Sequence, residues 1–245
     1  MTLMGEQIVK HGSEEALPPF QRVLAVCAHP DDESFGLGAV LDLLSENGAI
    51  CDVLCFTHGE ASTLGGNVED LGTTRAGELA AAARVLGVRR THLLDYPDGG
   101  LATIELSELV THVRLERHEG SHQALLVFDE GGITGHPDHC RATEAALVAA
   151  ELDDLDVIAW AIPLAVAQEL NACFGAHFVG RITDELDLTL VVKRARQMNA
   201  IACHASQSQG NPVLWRRLEL LENAEHLRFL RRAIKLPAPP SPSER

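Results

Sequence analysis

Five short apolar runs, the first four each followed by a longer helical stretch, set the main constraint on how this chain can fold. They are RVLAVCA (22–28), ICDVLCFT (50–57), THLLDY (91–96), QALLVFD (123–129) and DVIAWAI (156–162). All five read as strands, and RVLAVCA, apolar at consecutive positions, suits a strand buried on both faces. Between them lie helical patterns: 34–47, with Gly48 to end it; TTRAGELAAAARVLG (73–87), closed by a glycine; IELSELVTHVRLERH (104–118); and PDHCRATEAALVAAEL (137–152), whose Pro137 belongs in a first helical turn. PDGG (97–100) reads as a turn. Strands that alternate with helices need crossover connections. The expectation is therefore an α/β fold: a mostly parallel sheet with helices on both faces. Ligands of such sheets gather at the carboxyl ends of the strands.

Past residue 162 the pattern weakens. HFVGRI (177–182) is expected as a strand, LTLVV (188–192) as a strand or helix start, 193–203 as a helix, and LWRRLELLENAEHLRFLRRAI (214–234) as one terminal helix. With no internal repeat, a single domain is expected over 22–235. It is preceded by an N-terminal extension (1–21) and followed by a tail (236–245) whose composition, LPAPPSPSER from 236, reads as disordered.

The bulk numbers exclude some partners. Of 245 residues, 46% are hydrophobic and 22% charged, the balance of a soluble globular protein, and the net charge is −15. Basic residues cluster only as pairs such as Arg89-Arg90, Arg216-Arg217 and Arg231-Arg232, so neither nucleic acid nor an anionic membrane is an expected partner. The six cysteines form no C-x-x-C pair and read as reduced packing residues, with Cys51 and Cys55 on one face of a strand. Trp160 and Trp215 are expected to pack. No window reaches the length of a membrane span and the first residues carry no apolar signal region, so no membrane insertion and a cytoplasmic location are expected. Oligomeric state, including a homo-oligomer, stays open.

Two polar stretches fall at strand ends: VCAHPDDESFG (26–36) after the first run and GITGHPDH (132–139) after the fourth. His29 and Asp32 are three apart, as are His136 and His139. Two imidazoles and a carboxylate converging from two such loops would make three zinc ligands with an open position for water, whose pKa the metal lowers to about 7. Asp31, left uncommitted, is then the candidate proton acceptor. The simpler alternative is that Asp31, Asp32 and Ser34 cap a helix and the histidines are solvated. Other residues also have plain readings: Arg75 pairing with Glu78 one turn on, Asp98 as a turn residue, Glu33 as a surface acid, and His58 and His204 as structural or solvated. Gly36 and Gly38 make only G-x-G after the strand, which disfavours a dinucleotide.

AHPDDE (28–33) and GHPDH (135–139), in that order, resemble the paired signatures of the LmbE-like, or PIG-L, family of zinc-dependent N-acetylglucosamine de-N-acetylases. FTHGE (56–60), TRAGELAAAARVLG (74–87), YPDGGL (96–101) and KRARQMNAIACHASQ (193–207) extend the likeness over about 22–207. The resemblance implies a Rossmann-like sheet and a metal-dependent hydrolase that removes an acetyl group from an N-acetylglucosamine-type or related acetamido substrate. It implies His29, Asp32 and His139 as metal ligands, Asp31 as general base, and His136 as the imidazole that meets the oxyanion. Arg75 and Asp98 would contact the amino-sugar substrate. One zinc per chain is expected, with iron(II) or cobalt as substitutes for the same N/O donors. Some relatives place a tyrosine shortly before the second signature; here that stretch is GGIT. Two alternatives remain: an amidase acting on a sugar-linked thiol conjugate, and a non-catalytic metal- or sugar-binding protein on the same scaffold.

Overall fold

A computed structural model describes residues 17–64 and 68–234, so the N-terminal extension up to residue 16 and the 236–245 tail lie outside the described residues. In chain order the elements are β1 (Arg22–Cys27), α1 (Asp32–Phe35), α2 (Gly38–Glu46), β2 (Ile50–Thr57), α3 (Leu71–Leu86), β3 (Arg90–Tyr96), α4 (Leu106–Gly120), β4 (Ala124–Phe128) and α5 (Gly132–Gly135). There follow α6 (Pro137–Asp153), β5 (Asp156–Pro163), α7 (Leu164–Phe174), β6 (Gly180–Arg181), β7 (Leu188–Val191), α8 (Ala195–Cys203), α9 (Ala205–Ser208), α10 (Pro212–Leu221) and β8 (Ala224–Arg231). The strands form one sheet in the order β3-β2-β1-β4-β5-β8-β7, with β6 paired to β5. Pairings among β1 to β5 are parallel, while β8 runs antiparallel to both β5 and β7. The mostly parallel α/β sheet is thus borne out.

The consecutive apolar runs work as expected. In β1, Val23, Ala25 and Cys27 feed one core, whereas Leu24, Val26 and Ala28 feed the other. The first core is closed by residues of α2, α3, α7 and α8 such as Leu41, Leu79, Leu170 and Ala200; the second is closed by α4 and α6. On α6 the closing face is Ala142, Ala145, Ala146, Ala149 and Ala150, small enough to bring the helix close to the sheet. Cys27, Cys51 and Cys55 are buried in the first core, and all six cysteines are free. Among the described residues no helix is long and apolar enough to cross a membrane.

Several expectations need correction. The helix read over 34–47 is two: α1 begins earlier, at Asp32, and the chain breaks at Gly36, which lies so close to the Phe128 ring that a Cβ would strike it. The single terminal helix over 214–234 is α10 followed by a strand. Helical spacing fits this segment locally, but Glu225 and Leu227 point inward in alternation with half-buried neighbours, and the strand covers the open edge of β5 (Trp160 opposite Leu227). Tertiary pairing overrides helix propensity there. The strand expected over 177–182 shrinks to Gly180–Arg181, and LTLVV resolves as the strand β7. Trp160 is buried as expected, but Trp215 is 40% exposed, its indole N–H given to Ser208 O at 3.2 Å.

The strand order reverses at β1, which has β2 on one side and β4 on the other. The crevice between the carboxyl ends of β1 and β4 is the topological switch point, where open α/β sheets take their ligands.

Candidate active site

His29, Asp31 and Asp32 leave the end of β1; His136 and His139 come from the loop after β4 and the first turn of α6. The sheet therefore brings together residues more than a hundred positions apart. All seven residues singled out from the sequence (His29, Asp31, Asp32, Arg75, Asp98, His136 and His139) line one cavity of about 440 Å³.

His29 Nδ1 and His139 Nε2 face each other at 3.1 Å, and His139 Nε2 stands 3.1 Å from Asp32 Oδ1. Asp32 Oδ2 is committed elsewhere, accepting from the backbone N–H of Ala28 and of His29 at 3.0 Å each, which fixes the carboxylate with Oδ1 toward His139. Donor atoms around a tetrahedral zinc, at bonds of 2.0–2.1 Å, lie about 3.3 Å apart. The far nitrogens are equally consistent: His29 Nε2 meets Asp98 Oδ1 at 3.0 Å and Asp138 Oδ2 at 3.4 Å, while His139 Nδ1 meets Gly132 O at 3.1 Å. Each acceptor holds a proton on the far nitrogen and so leaves a lone pair on the near one. Two lone pairs facing each other at 3.1 Å call for a positive charge between them. His29, Asp32 and His139 fit a metal ion by donor chemistry and spacing.

Without a metal, the positive charge that this arrangement calls for falls on His29 itself, as a proton that a metal ion would displace. Burial opposes a charge on His29, yet its hydrogen bonds to Asp138 and Asp98 win and raise its pKa to about 10. Asp32 resists the upward push of burial because His139 and His29 hold it well below the carboxylate range. Asp31 differs: burial lifts it to about 6, with Arg75 pulling the other way and the negative Asp32 adding to the rise. Two adjacent carboxyls are thereby given different characters. His136 is lowered, first by burial and then by His139 and His29. Its Nδ1 accepts from the N–H of Asp138 at 3.2 Å, so in the neutral ring Nε2 carries the proton.

Arg75 does not pair with Glu78. Its guanidinium, 3% exposed, passes under the loop after β2, donates to the carbonyls of Gly59 and Pro30, and reaches Asp31 Oδ2 at 2.9 Å. Gly59 has φ +64°, and a Cβ there would fall on the guanidinium. Glu78 instead holds Ser206, through its N–H at 2.8 Å and its hydroxyl at 2.6 Å. Asp98 is more than a turn residue, since its other oxygen accepts from Ala61 N–H at 2.9 Å and ties the 58–64 loop to the cavity. No side-chain cap of α1 is made by Asp31. His58 lies outside the cavity and pairs with Asp95 at 2.9 Å.

Sequence reasoning missed three supports. Asp138 is wholly buried and accepts from Gly99 N–H at 2.7 Å and Leu101 N–H at 3.1 Å, besides its contact with His29. Its place inside GHPDH was the available signal. Glu33 is not a surface acid: it is fully buried and bonded to His204, itself fully buried. Gln207 lines the cavity mouth and accepts from Ser62 Oγ at 2.7 Å.

A fold of this order, with His and Asp side chains at its switch point that could hold a metal ion, defines a class of α/β proteins built around a polar cleft. A family model described as PIG-L, GlcNAc-PI de-N-acetylase, matches residues 24–150, and the chain belongs to that family. A 1D-myo-inositol 2-acetamido-2-deoxy-alpha-D-glucopyranoside deacetylase of Corynebacterium glutamicum is 30% identical over 247 residues, 79% of this chain and 84% of that protein. The protein of the same description from Salinispora arenicola is 35% identical over 159 residues, covering 55% of this chain. The chain spans about half the length of that and other curated relatives it matches, 52% in the Salinispora case. Among solved structures, a triple mutant of a deacetylase of the teicoplanin biosynthetic pathway superposes with a TM-score of 0.67 at 21% identity, over 85% of this chain and 97% of the other. A 4-carboxy-2-hydroxymuconate hydratase from Pseudomonas putida reaches 0.66 at 17% identity over 89% of this chain and all of that one, so the likeness of shape speaks for the fold alone.

Proposed function

We propose that this protein is a metal-dependent, zinc-using hydrolase that removes the acetyl group from an N-acetylglucosamine-type acetamido substrate. The observation that carries the reading is the convergence of His29 Nδ1, Asp32 Oδ1 and His139 Nε2, each imidazole tautomer set by an acceptor on its far side. The GlcNAc-inositol deacetylase named among its relatives supports the substrate class. A zinc ion held by those three residues would polarise the amide carbonyl and acidify water beside it.

The chain's own groups supply the rest. Asp31, with a pKa of about 6, is largely ionised at neutral pH yet basic enough to take a proton from the attacking water. Arg75 holds its Oδ2, so the carboxylate is aimed before substrate arrives. As the carbonyl oxygen gains charge, the Nε2–H of His136 donates to it, without the further help that a tyrosine in the GGIT stretch would add. Asp31 then returns its proton to the departing nitrogen, giving acetate and a free amine. Asp98 and Arg75 border the space for the sugar, and the 61–64 loop with Gln207 forms the rim that would choose the aglycone.

The test is metal content and amine release together. Wild-type protein should carry about one zinc per chain, which His139→Ala loses. Asp31→Asn should keep the metal and lose turnover by about 10²–10⁴. Wild type should release amine from N-acetylglucosaminyl-inositol or simpler acetamido sugars faster than from bulkier amides of sugar-linked thiols. Zinc-loaded wild type without turnover on any amide would refute the hydrolase reading and leave a binding protein.

A further inference from the structure

Asp31 sits in a backbone conformation that a side chain rarely adopts, with φ 111° and ψ −28°. Its carbonyl is used by the start of α1, accepting from Ser34 N–H at 2.9 Å and from Phe35 N–H at 2.6 Å. Its own N–H, held in this turn, is taken by Glu33 Oε2 at 2.9 Å. Glu33 is fully buried, and its second oxygen receives His204 Nε2 at 2.6 Å and the Ser34 hydroxyl. His204 comes from 171 residues downstream, between α8 and α9. Its ring is wholly buried and meets Phe35 edge-on at 5.8 Å.

We infer that Glu33 and His204 are positioning residues that hold the Asp31 backbone in its strained turn, and with it the carboxylate that faces the cavity. A non-glycine residue in such a region persists only where its surroundings over-determine it. Here two restraints do so. One is the Arg75 guanidinium on the side chain; the other is the Glu33 carboxylate on the amide. A carboxylate buried this deeply keeps its place only with a partner, and His204 is that partner. The same short segment bonds to α3 through Ser206 and Glu78, one turn from Arg75. Both restraints on Asp31 are thus tied to residues 204–206. The inference rests on the hydrolase reading only for the name of base; the hold on Asp31 stands apart from it.

Two readouts separate positioning from plain packing. The first is kinetic, on zinc-loaded protein. His204→Phe, which fills the space without a donor, should lower kcat at least about 30-fold with KM within about twofold and zinc content unchanged. His204→Gln, whose amide nitrogen reaches the same place, should return to within about fivefold of wild type. The second needs neither metal nor turnover: hydrogen exchange of the Asp31 amide, followed by NMR in metal-free protein. It should quicken at least about tenfold in His204→Phe, stay slow in His204→Gln, and leave the β1 core amides of Leu24 and Ala25 unmoved. Equal impairment of the Phe and Gln variants, or exchange that rises throughout β1, would overturn the inference, as would a fully active His204→Phe.

Should His204→Phe fail to fold, Glu33→Gln carries the test. Its amide oxygen can still accept from Asp31 and its amide nitrogen can meet His204 in the other tautomer, so kcat should stay within about fivefold. A 30-fold loss there would overturn the assignment. If wild type hydrolyses no amide, the hydrolase reading falls, and the exchange contrast alone supports or refutes the hold on Asp31.

Discussion

Asp138 offers the sharpest test of how the cleft is held together. Three donors converge on its two oxygens: Gly99 N–H at 2.7 Å and His29 Nε2 at 3.4 Å on Oδ2, and Leu101 N–H at 3.1 Å on Oδ1. The residue is fully buried, so solvent screens none of this. Asp138→Asn keeps the shape but leaves one acceptor oxygen. Whichever way the amide turns, its NH₂ faces a backbone N–H, buried at Leu101 and partly buried at Gly99. One charge-assisted backbone bond is lost, about 1.5–3 kcal/mol, and a donor is left without a partner. With a total near 3 kcal/mol, a chain of this size should melt about 6–12 °C lower. If the Asn nitrogen turns toward His29, the imidazole also loses the acceptor that fixes its tautomer, and zinc should bind about 10–100-fold more weakly. Thermal unfolding of chelator-treated protein reads the first effect, and zinc titration against a competing chromophoric chelator reads the second. A variant that melts within about 2 °C of wild type and binds zinc as tightly would refute the reasoning.

Other perturbations probe the far end of the sheet and the loop above Arg75. Burial pushes the Asp52 carboxyl up, but hydrogen bonds from His122 and Arg89 win and hold it well below its ordinary range. A depressed carboxylate contributes stability that is complete above its unfolded pKa near 3.9 and is lost as pH falls through the folded value. Asp52→Asn should therefore cost about 2 kcal/mol at pH 7, discounted because Arg89 is partly exposed, and the gap to wild type in urea unfolding should narrow only below about pH 4. A gap constant down to pH 3 would refute the linkage. Gly59→Ala puts a methyl group on the Arg75 guanidinium at a positive φ, so turnover should fall at least about tenfold, for a conformational cost of about 1 kcal/mol in stability. Wild-type turnover in that variant would remove Arg75 from the site.

Much of the sheet was legible because four of its five parallel strands, β1, β2, β4 and β5, are buried almost throughout, a pattern that does not depend on distant partners. What failed, failed where a local pattern had two solutions. Residues 214–234 carry leucines at helical spacing, and nothing local says that Ala224 to Arg231 must extend instead. That decision belongs to β5, whose open edge needs a partner. The break at Gly36 is similar in kind, since it depends on Phe128, ninety-two residues away and on another strand.

The site divides along the same line. His29, Asp32, His136 and His139 could be picked out because metal chemistry restricts residue type and local spacing at once. Asp138, Glu33 and His204 do their work by accepting or donating to atoms brought near by folding, and an acid in a first helical turn looks the same in sequence whether it faces water or a buried imidazole. Glu33 shows the cost of that degeneracy. Read locally, it is one more acid at a helix start; folded, it has no exposed surface and both oxygens are taken, one of them by a residue 171 positions on. The identity of the candidate site residues is therefore written locally, whereas their orientation is written across the chain. A variant that keeps His29, Asp31, Asp32, His136 and His139 can therefore still lose their geometry through Glu33, Asp138 or His204.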